Sequence, residues 1–388
     1  MTEQPQIRIC TRCILSNQDT RIIKFNDEGI CSYCVEYDKK MNELLSNPLP
    51  LAKRLELLVQ EVKNAGKGRK YDCILGVSGG TDSTFLAWWA HKEGLRPLLV
   101  HMDNGWNSDL AVSNIERISS TFGWELHTYV INWEEFKHLQ LAYLYAGVVD
   151  VEIPTDHAIV ATVYKLAKKY NIKYVLSGFN LVTEGVMPKD WNFRKLDYEN
   201  VRSIYKAYGK GPKLKTYPKL TFWKSIYYRL FVQIESIQPL NYMNYNKSEA
   251  QEIIKRDIGW KDYGGKHHES LFTKFYQVYI LPRKFGIDKR KCHLAALICS
   301  GQLSREEAFE VLNKPQLEKE QLAEEKRYVL KKLELSENEF EKIMISPVRR
   351  HDEFRTDKEL WDRYFKFIGF VNKLNIMRIL RRKNSEKN

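Results

Sequence analysis

The 388-residue chain lacks any apolar run of the ~18–20 residues that a bilayer-crossing helix needs. Its opening, MTEQPQIRIC, has no basic stretch followed by an apolar one, so no secretory leader is expected and a cytoplasmic enzyme is. Internal repeats and long low-complexity segments are missing as well, which excludes a solenoid or an extended linker array. Charge balance is another absence: 62 Lys+Arg against 49 Asp+Glu leave +13. Such an excess asks for an anionic partner (nucleic acid, nucleotide or membrane surface) without choosing among them. With 43% hydrophobic and 29% charged residues, the chain reads as soluble and globular, with room for two or three domains.

Cysteine is sparse, seven in all, and its placement is uneven. Cys10-x-x-Cys13 and Cys31-x-x-Cys34 are separated by 17 residues. Without an export signal, two such pairs read as metal ligands rather than disulfides. Four thiolates match a closed tetrahedral Zn2+ site, so the expected role is structural or for docking. The intervening RIIKFNDEGIC reads as a small hairpin turning at its glycine. Cys73, Cys292 and Cys299, with His293, have no second-site spacing and read as core.

Four stretches follow from composition and periodicity. Residues 1–45 form the cysteine knuckle. Residues 46–200 alternate short apolar runs with helical patterns, after an amphipathic 41–65 that Asn47-Pro48 and Pro50 interrupt. Strands are expected at 71–77, 97–103, 125–131 and 172–178, and helices after the glycine-rich turn, over 108–122 and over 156–170, with Asp156 as a candidate cap. This alternation predicts a parallel sheet covered by helices, with ligands beyond the carboxyl ends of the strands. Residues 201–310 are basic and turn mainly helical from 246. A helical tail, 311–388, ends in eighteen residues with six Lys/Arg and one Glu, expected to fray.

The strand YDCILGV runs into Ser78-Gly79-Gly80-Thr81-Asp82-Ser83 and then a helix. Glycines let the backbone turn tightly and bring N–H groups to phosphate oxygens, and a helix N-terminus adds donors and a positive dipole end. Ser78, Thr81 and Ser83 add hydroxyls; Asp82 suits a magnesium ligand or an orienting group. No lysine follows in Walker spacing, so this is a different phosphate loop. It resembles the SGGxDS signature of PP-loop ATP pyrophosphatases, which cleave ATP between the α and β phosphates. That resemblance places His101 and Asp103, at the end of PLLVHMD, near adenine and ribose. It places Gly178, Asn180 and Glu184, in SGFNLVTEG, near phosphates and metal.

Residues 201–230 carry eight Lys/Arg, no acid and seven aromatics, a pattern suited to base stacking, a nucleotide-sugar diphosphate or a protein partner. In GGKHHE, His267, His268 and Glu269 are candidates for substrate binding or proton transfer, and Lys289 and Arg290 for holding a carboxylate or phosphate.

The combination CTRC…CSYC, VSGGTDST, IPTDH, SGFN…TEG and GGKHHESLFTKFYQVYILPRKFGIDKR…SGQLSREEA, over residues 10–308, resembles the N-acetyl sugar amidotransferases of O-antigen and flagellar sugar biosynthesis. The resemblance implies an α/β PP-loop domain (HUP, adenine-nucleotide α-hydrolase-like) with an N-terminal zinc ribbon and a mainly helical C-terminal region. It also implies a reaction. ATP with Mg2+ adenylates the acetamido oxygen of a nucleotide-linked sugar, and ammonia displaces AMP to leave an acetamidino group. Neither a G-x-C-x-G elbow nor a Cys after Met1 is present, so separate glutaminase and cyclase-like subunits are the implied ammonia source. The alternative is a tRNA-thiolating PP-loop enzyme, disfavoured because no C-x-x-C lies between 40 and 290; nucleic acid is not the expected partner.

Overall fold

A computed structural model describes residues 6–266 and 268–370. Five parallel strands form one sheet: β1 (Cys73–Gly76), β2 (Pro97–Asp103), β3 (Leu126–Val130), β4 (Tyr174–Leu176) and β5 (Glu235–Ile237), in the order β3-β2-β1-β4-β5. Side chains alternate across the sheet with period two. Cys73, Leu75, Leu99, Tyr174 and Leu176 enter the core on one face; Ile74, Leu98, Val100 and Val175 enter the core on the other. With both faces apolar, β1, β2 and β4 read as nearly continuous hydrophobic runs, as buried parallel strands do.

Helices cover the two faces unequally. On the first lie α2 (Leu51–Ala65), α3 (Thr81–Lys92), α4 (Asp109–Phe122) and α10 (Lys247–Ile258); on the second lies α6 (Ile153–Lys169). The break at 47–50 separates α2 from α1 (Ser32–Leu45) as the prolines required. Ser108 caps α4 by accepting from the Ala111 N–H at 3.2 Å, and Asn132 does the same for α5 (Trp133–Ala146), accepting from Glu135 at 3.0 Å. Asp156 is not a cap. The helix starts three residues earlier, with Pro154 in its first turn, and Asp156 instead pairs with Lys195 at 3.0 Å.

After β4 come α7 (Leu181–Glu184), α8 (Tyr198–Tyr208) and α9 (Phe222–Tyr227). The fifth strand was not expected. Its three residues, ESI, are two-thirds exposed and too short to carry a period, yet they pair with β4 through Val175↔Ser236. The sheet therefore draws on the basic segment beyond 200. Past α10 the chain is helical: α11 (Leu271–Phe275) widening into π-type turns over Tyr276–Phe285, then α12 (Arg290–Cys299), α13 (Arg305–Asn313), α14 (Lys319–Leu333), α15 (Glu337–Ile345) and a helix over 358–370. A large apolar cluster runs from Cys10 through Phe136, Phe275 and Cys292 to Ile343. The predicted fraying of the last eighteen residues lies outside the described residues.

Candidate functional site

Strand order reverses between β1 and β4: from β1 the chain moves outward through β2 and β3, then returns to β1's other side. A crevice must open there, beyond the carboxyl ends of the two strands. It holds a cleft of about 840 Å³, floored by Gly76–Ser78 and Gly80–Ser83.

The turn into α3 has the shape an anion cradle needs. Gly79 has φ +79°, and a Cβ there would sit 2.6 Å from the Ala111 carbonyl, so only glycine fits. Trp260 Nε1 and Asn114 Nδ2 both donate to the Gly79 carbonyl, at 2.8 and 3.2 Å, and turn that oxygen away from any phosphate. Gly80 is the helix N-cap and offers no side-chain cap. The first N–H groups of α3 are thus left for a ligand. Ser78 Oγ and Ser83 Oγ lie 3.3 Å apart and brace the turn. Gly178, at the end of β4, approaches so closely that a Cβ would stand 3.2 Å from the Ser83 nitrogen.

Charged groups gather beside this turn. Lys266 Nζ lies 2.8 Å from Glu184 Oε1 and 3.5 Å from Asp82 Oδ2. Burial opposes its charge, but Asp82 and Glu184 outweigh that and hold its pKa above the ordinary lysine value. Tyr245 donates its hydroxyl to Asp82, and burial together with that carboxylate raises the phenol's pKa. Lys247 also lines the cleft; burial first, then Lys266, lowers its pKa. Asp82 and Glu184 are hard oxygen donors suited to Mg2+, and Lys266 now supplies the positive charge between them.

His101 is buried. Its Nδ1 is 3.1 Å from the Val77 carbonyl and its Nε2 accepts from Asn107 Nδ2 at 3.0 Å, which assigns the proton to Nδ1. Burial lowers its pKa, so it is a neutral wall of the cleft. Asp103 does not line the cleft. Its Oδ1 accepts from the Gly105 N–H at 2.8 Å and from Asn107 Nδ2 at 3.1 Å, and so shapes the loop. Asn180 is also a builder: it is fully buried and caps α7, accepting from the Thr183 N–H at 2.9 Å.

The far wall comes from Trp260, Asp262–Lys266, Glu269 and Ser270, sewn on by backbone bonds: Ser108 N–H to the Glu269 carbonyl and Leu271 N–H to the Trp106 carbonyl, both 2.8 Å. Glu269 and Tyr263 line the cleft, and Tyr263's hydroxyl would lie 2.9 Å from a Cβ at Gly80. His268 does not line it; its ring fills the space beside Gly265. His267 lies outside the described residues. Arg290 is not brought to the cleft. It forks onto Asp288 at 2.6 Å and donates to the Val311, Leu312 and Lys314 carbonyls, which are orphans at the end of α13. Lys289 does not line the cleft either, though its charge is felt at Asp150, Glu152 and Cys292.

Sequence reasoning missed a second lobe: Glu152, Thr155, Asp156, Lys195 and Thr273. Thr273 Oγ1 donates to Glu152 Oε2 at 2.7 Å, while Oε1 is buried without a hydrogen bond. Burial raises the Glu152 pKa to about 7. Lys195 bonds Asp150 at 2.6 Å as well as Asp156. Only IPTDH hinted at this group. Lys266 sat in plain view within GGKHHE but could not be told from surface charge.

The N-terminal knuckle folds as a tight turn, with Asn26 N–H to the Ile30 carbonyl at 3.0 Å and Ser32 N–H to the Lys24 carbonyl at 2.8 Å. Sγ atoms of Cys10, Cys13, Cys31 and Cys34 lie within 4.8 Å of one another, with contacts of 3.6, 3.7 and 3.9 Å. A tetrahedron with Zn–S bonds of ~2.3 Å has edges of about 3.8 Å, so the cluster fits that ion. Cys299 is not simple core: its Sγ stands 3.6 Å from Cys34 Sγ. The knuckle is anchored by Lys291 to Asp19 at 2.6 Å, and by Arg305 to the Cys10 and Cys13 carbonyls. Among the described residues no cysteine lines the cleft; Cys73 is buried in β1 and Cys292 is pushed up to about 12 by burial.

Residues 269–368 match the family model described as LPS biosynthesis protein WbpG-like, C-terminal domain. An uncharacterized protein of Methanocaldococcus jannaschii is 24% identical over 333 residues, 83% of this chain and 99% of that protein. Among solved structures, NMN synthetase from Francisella tularensis aligns at 14% identity over 74% of this chain and 98% of its own, with a TM-score of 0.36. NH3-dependent NAD synthetase from Campylobacter jejuni aligns at 14% identity over 41% and 73%, TM-score 0.28. A 4-thiouridine synthetase in complex with RNA and bound ATP aligns at 17% identity over 69% and 53%, TM-score 0.31.

Proposed function

We propose that this chain adenylates the acetamido oxygen of an N-acetylated, nucleotide-linked sugar with ATP and passes the activated carbon to ammonia, as a step in surface-glycan assembly. One observation carries the reading: an uncapped helix N-terminus behind a glycine turn, opening into a cleft of about 840 Å³, larger than a nucleotide's triphosphate requires. The WbpG-like match, whose description names LPS biosynthesis, supports the choice of a sugar substrate.

An amide carbonyl is a weak electrophile with a poor leaving group. Its oxygen attacks the α-phosphorus, and pyrophosphate leaves into the Ser78–Ser83 cradle. Ammonia then adds to the imidate carbon and loses a proton, and AMP departs with the former amide oxygen. The chain's own part is to hold the pyrophosphate with N–H groups and hydroxyls, set Lys266 and Lys247 beside it, and keep water out with the wall of Trp260, Tyr263 and Glu269. A magnesium ion, when bound, would neutralise charge on the leaving pyrophosphate, with Asp82 and Glu184 as the residues to hold it. Zinc in the four-cysteine cluster would be structural. Ammonia would come from glutaminase and cyclase-like subunits. The absence of a cleft cysteine among the described residues weighs against sulfur transfer to tRNA.

The test is incubation with ATP, Mg2+, ammonium and a UDP-diacetamido sugar. AMP and pyrophosphate should appear in step with a product in which one oxygen is exchanged for NH. Release of ADP and orthophosphate, or turnover with tRNA and not with the sugar, refutes the reading.

A further inference from the structure

The aromatic, acid-free stretch 201–230 does not enter the cleft through its rings. Trp223 and Phe231 are 72% and 75% exposed. They belong to α9 and the π-type turn Tyr228–Val232 that follows it. The helix over 358–370 packs alongside: Phe222 meets Trp361 edge-on at 5.0 Å, and Arg229 lies over the rings of Tyr364 and Phe365, 5.9 Å from each. That helix exposes Phe365, Phe367 and Phe370. Contiguous exposed apolar surface of this kind marks an interaction site.

We propose that this face docks on an anionic lipid bilayer. Its rings are interleaved with exposed Lys224, Arg229, Arg363 and Lys366, and Lys168 stands over Tyr227 at 4.8 Å. Acids on the face are Glu359, which faces Arg363 at 3.8 Å, and Asp362. Trp and Phe set among basic side chains suit the headgroup boundary, where rings enter the acyl edge and cations meet lipid phosphates. A second copy of the chain is disfavoured because a two-fold contact would set this basic face against itself. Tyr228 touches Tyr164, a cleft-lining residue, edge-on at 5.5 Å, so docking would hold the cleft's rim close to the membrane.

The test is flotation of the full chain with phosphatidylcholine vesicles with and without phosphatidylglycerol. Binding should require phosphatidylglycerol, weaken as salt rises, and fall at least about tenfold in W223S/F231S. A second variant, K224E/R229E, should lose the lipid preference, and the unfolding temperatures of both variants establish that they fold. Three results overturn the proposal: no binding to anionic vesicles, binding unchanged in W223S/F231S, or a concentration-dependent dimer or single-stranded RNA complex that those variants abolish while vesicles never bind.

Discussion

Lys266 is the residue whose removal tests the site most sharply. At an effective dielectric of about 20, its contacts at 2.8 and 3.5 Å correspond to gross attractions of about 6 and 5 kcal/mol. Desolvation of the ammonium offsets most of that. What Lys266→Met exposes is the cost of leaving Asp82 and Glu184 together without a cation. Loss of one partner from a buried pair costs about 3–5 kcal/mol, and the open cleft argues for the lower end. About 3 kcal/mol corresponds to a fall in unfolding temperature of roughly 4 °C for a chain of this size. Lys266→Met with Glu184→Gln should regain most of the loss, because a single carboxylate, held by Tyr245 and Thr183, then remains. Mg2+ should raise the unfolding temperature of Lys266→Met more than that of the wild type, since hard oxygen donors have been freed for it. Differential scanning fluorimetry of the three proteins, with and without Mg2+, measures these values. A Lys266→Met protein within about 1 °C of wild type, or a double variant no better than the single, refutes the ion-triad reasoning.

Gly79→Ala should weaken ATP binding at least about tenfold by calorimetry, because a Cβ cannot stand 2.6 Å from the Ala111 carbonyl unless the loop moves. Glu152 is half-buried in the cleft wall, and desolvation raises its pKa to about 7, above the ordinary 4.5. A raised folded pKa means stability present below the unfolded value and lost as pH climbs through the folded one. Stability should therefore fall by at most about 3 kcal/mol between pH 4.5 and 8 on this account, and Glu152→Gln should flatten that fall in urea titrations. Cys13→Ser should lose the bound metal by elemental analysis and destabilise the fold by about 3 kcal/mol or more, while AMP formation per folded molecule stays near wild type.

The parts of this molecule that sequence discloses are those where one local rule decides. β2 is expected over 97–103 and observed as Pro97–Asp103 because both faces of a parallel strand are buried and its apolar run is unbroken. The cradle is legible because glycines, hydroxyls and a helix start must be contiguous to hold phosphate. The knuckle is legible because two C-x-x-C turns suffice to bring four thiols to one point. By contrast β5 is three residues, two of them polar, made a strand by the free edge of β4 rather than by anything in ESI. Arg290 and Lys266 show the same limit from opposite sides. Both are cations in the same distal stretch, and apart from Asp288 beside Arg290 the groups that fix their roles lie far off in sequence. Arg290, a candidate ligand-holder by sequence, closes the end of α13 by donating to the orphan carbonyls of Val311, Leu312 and Lys314. Lys266 was passed over, yet it meets Glu184 from 82 positions away, and Asp82 from farther still. A cation's role is set by where the chain returns to it, so the second lobe around Glu152, assembled from α6, α11 and the loop holding Lys195, had to await the fold. That lobe lies across the same cleft from the cradle, and a site for one nucleotide alone would have no use for it. On the proposed function, its paired carboxylates, Glu152 and Asp156, would face the second, polar reactant.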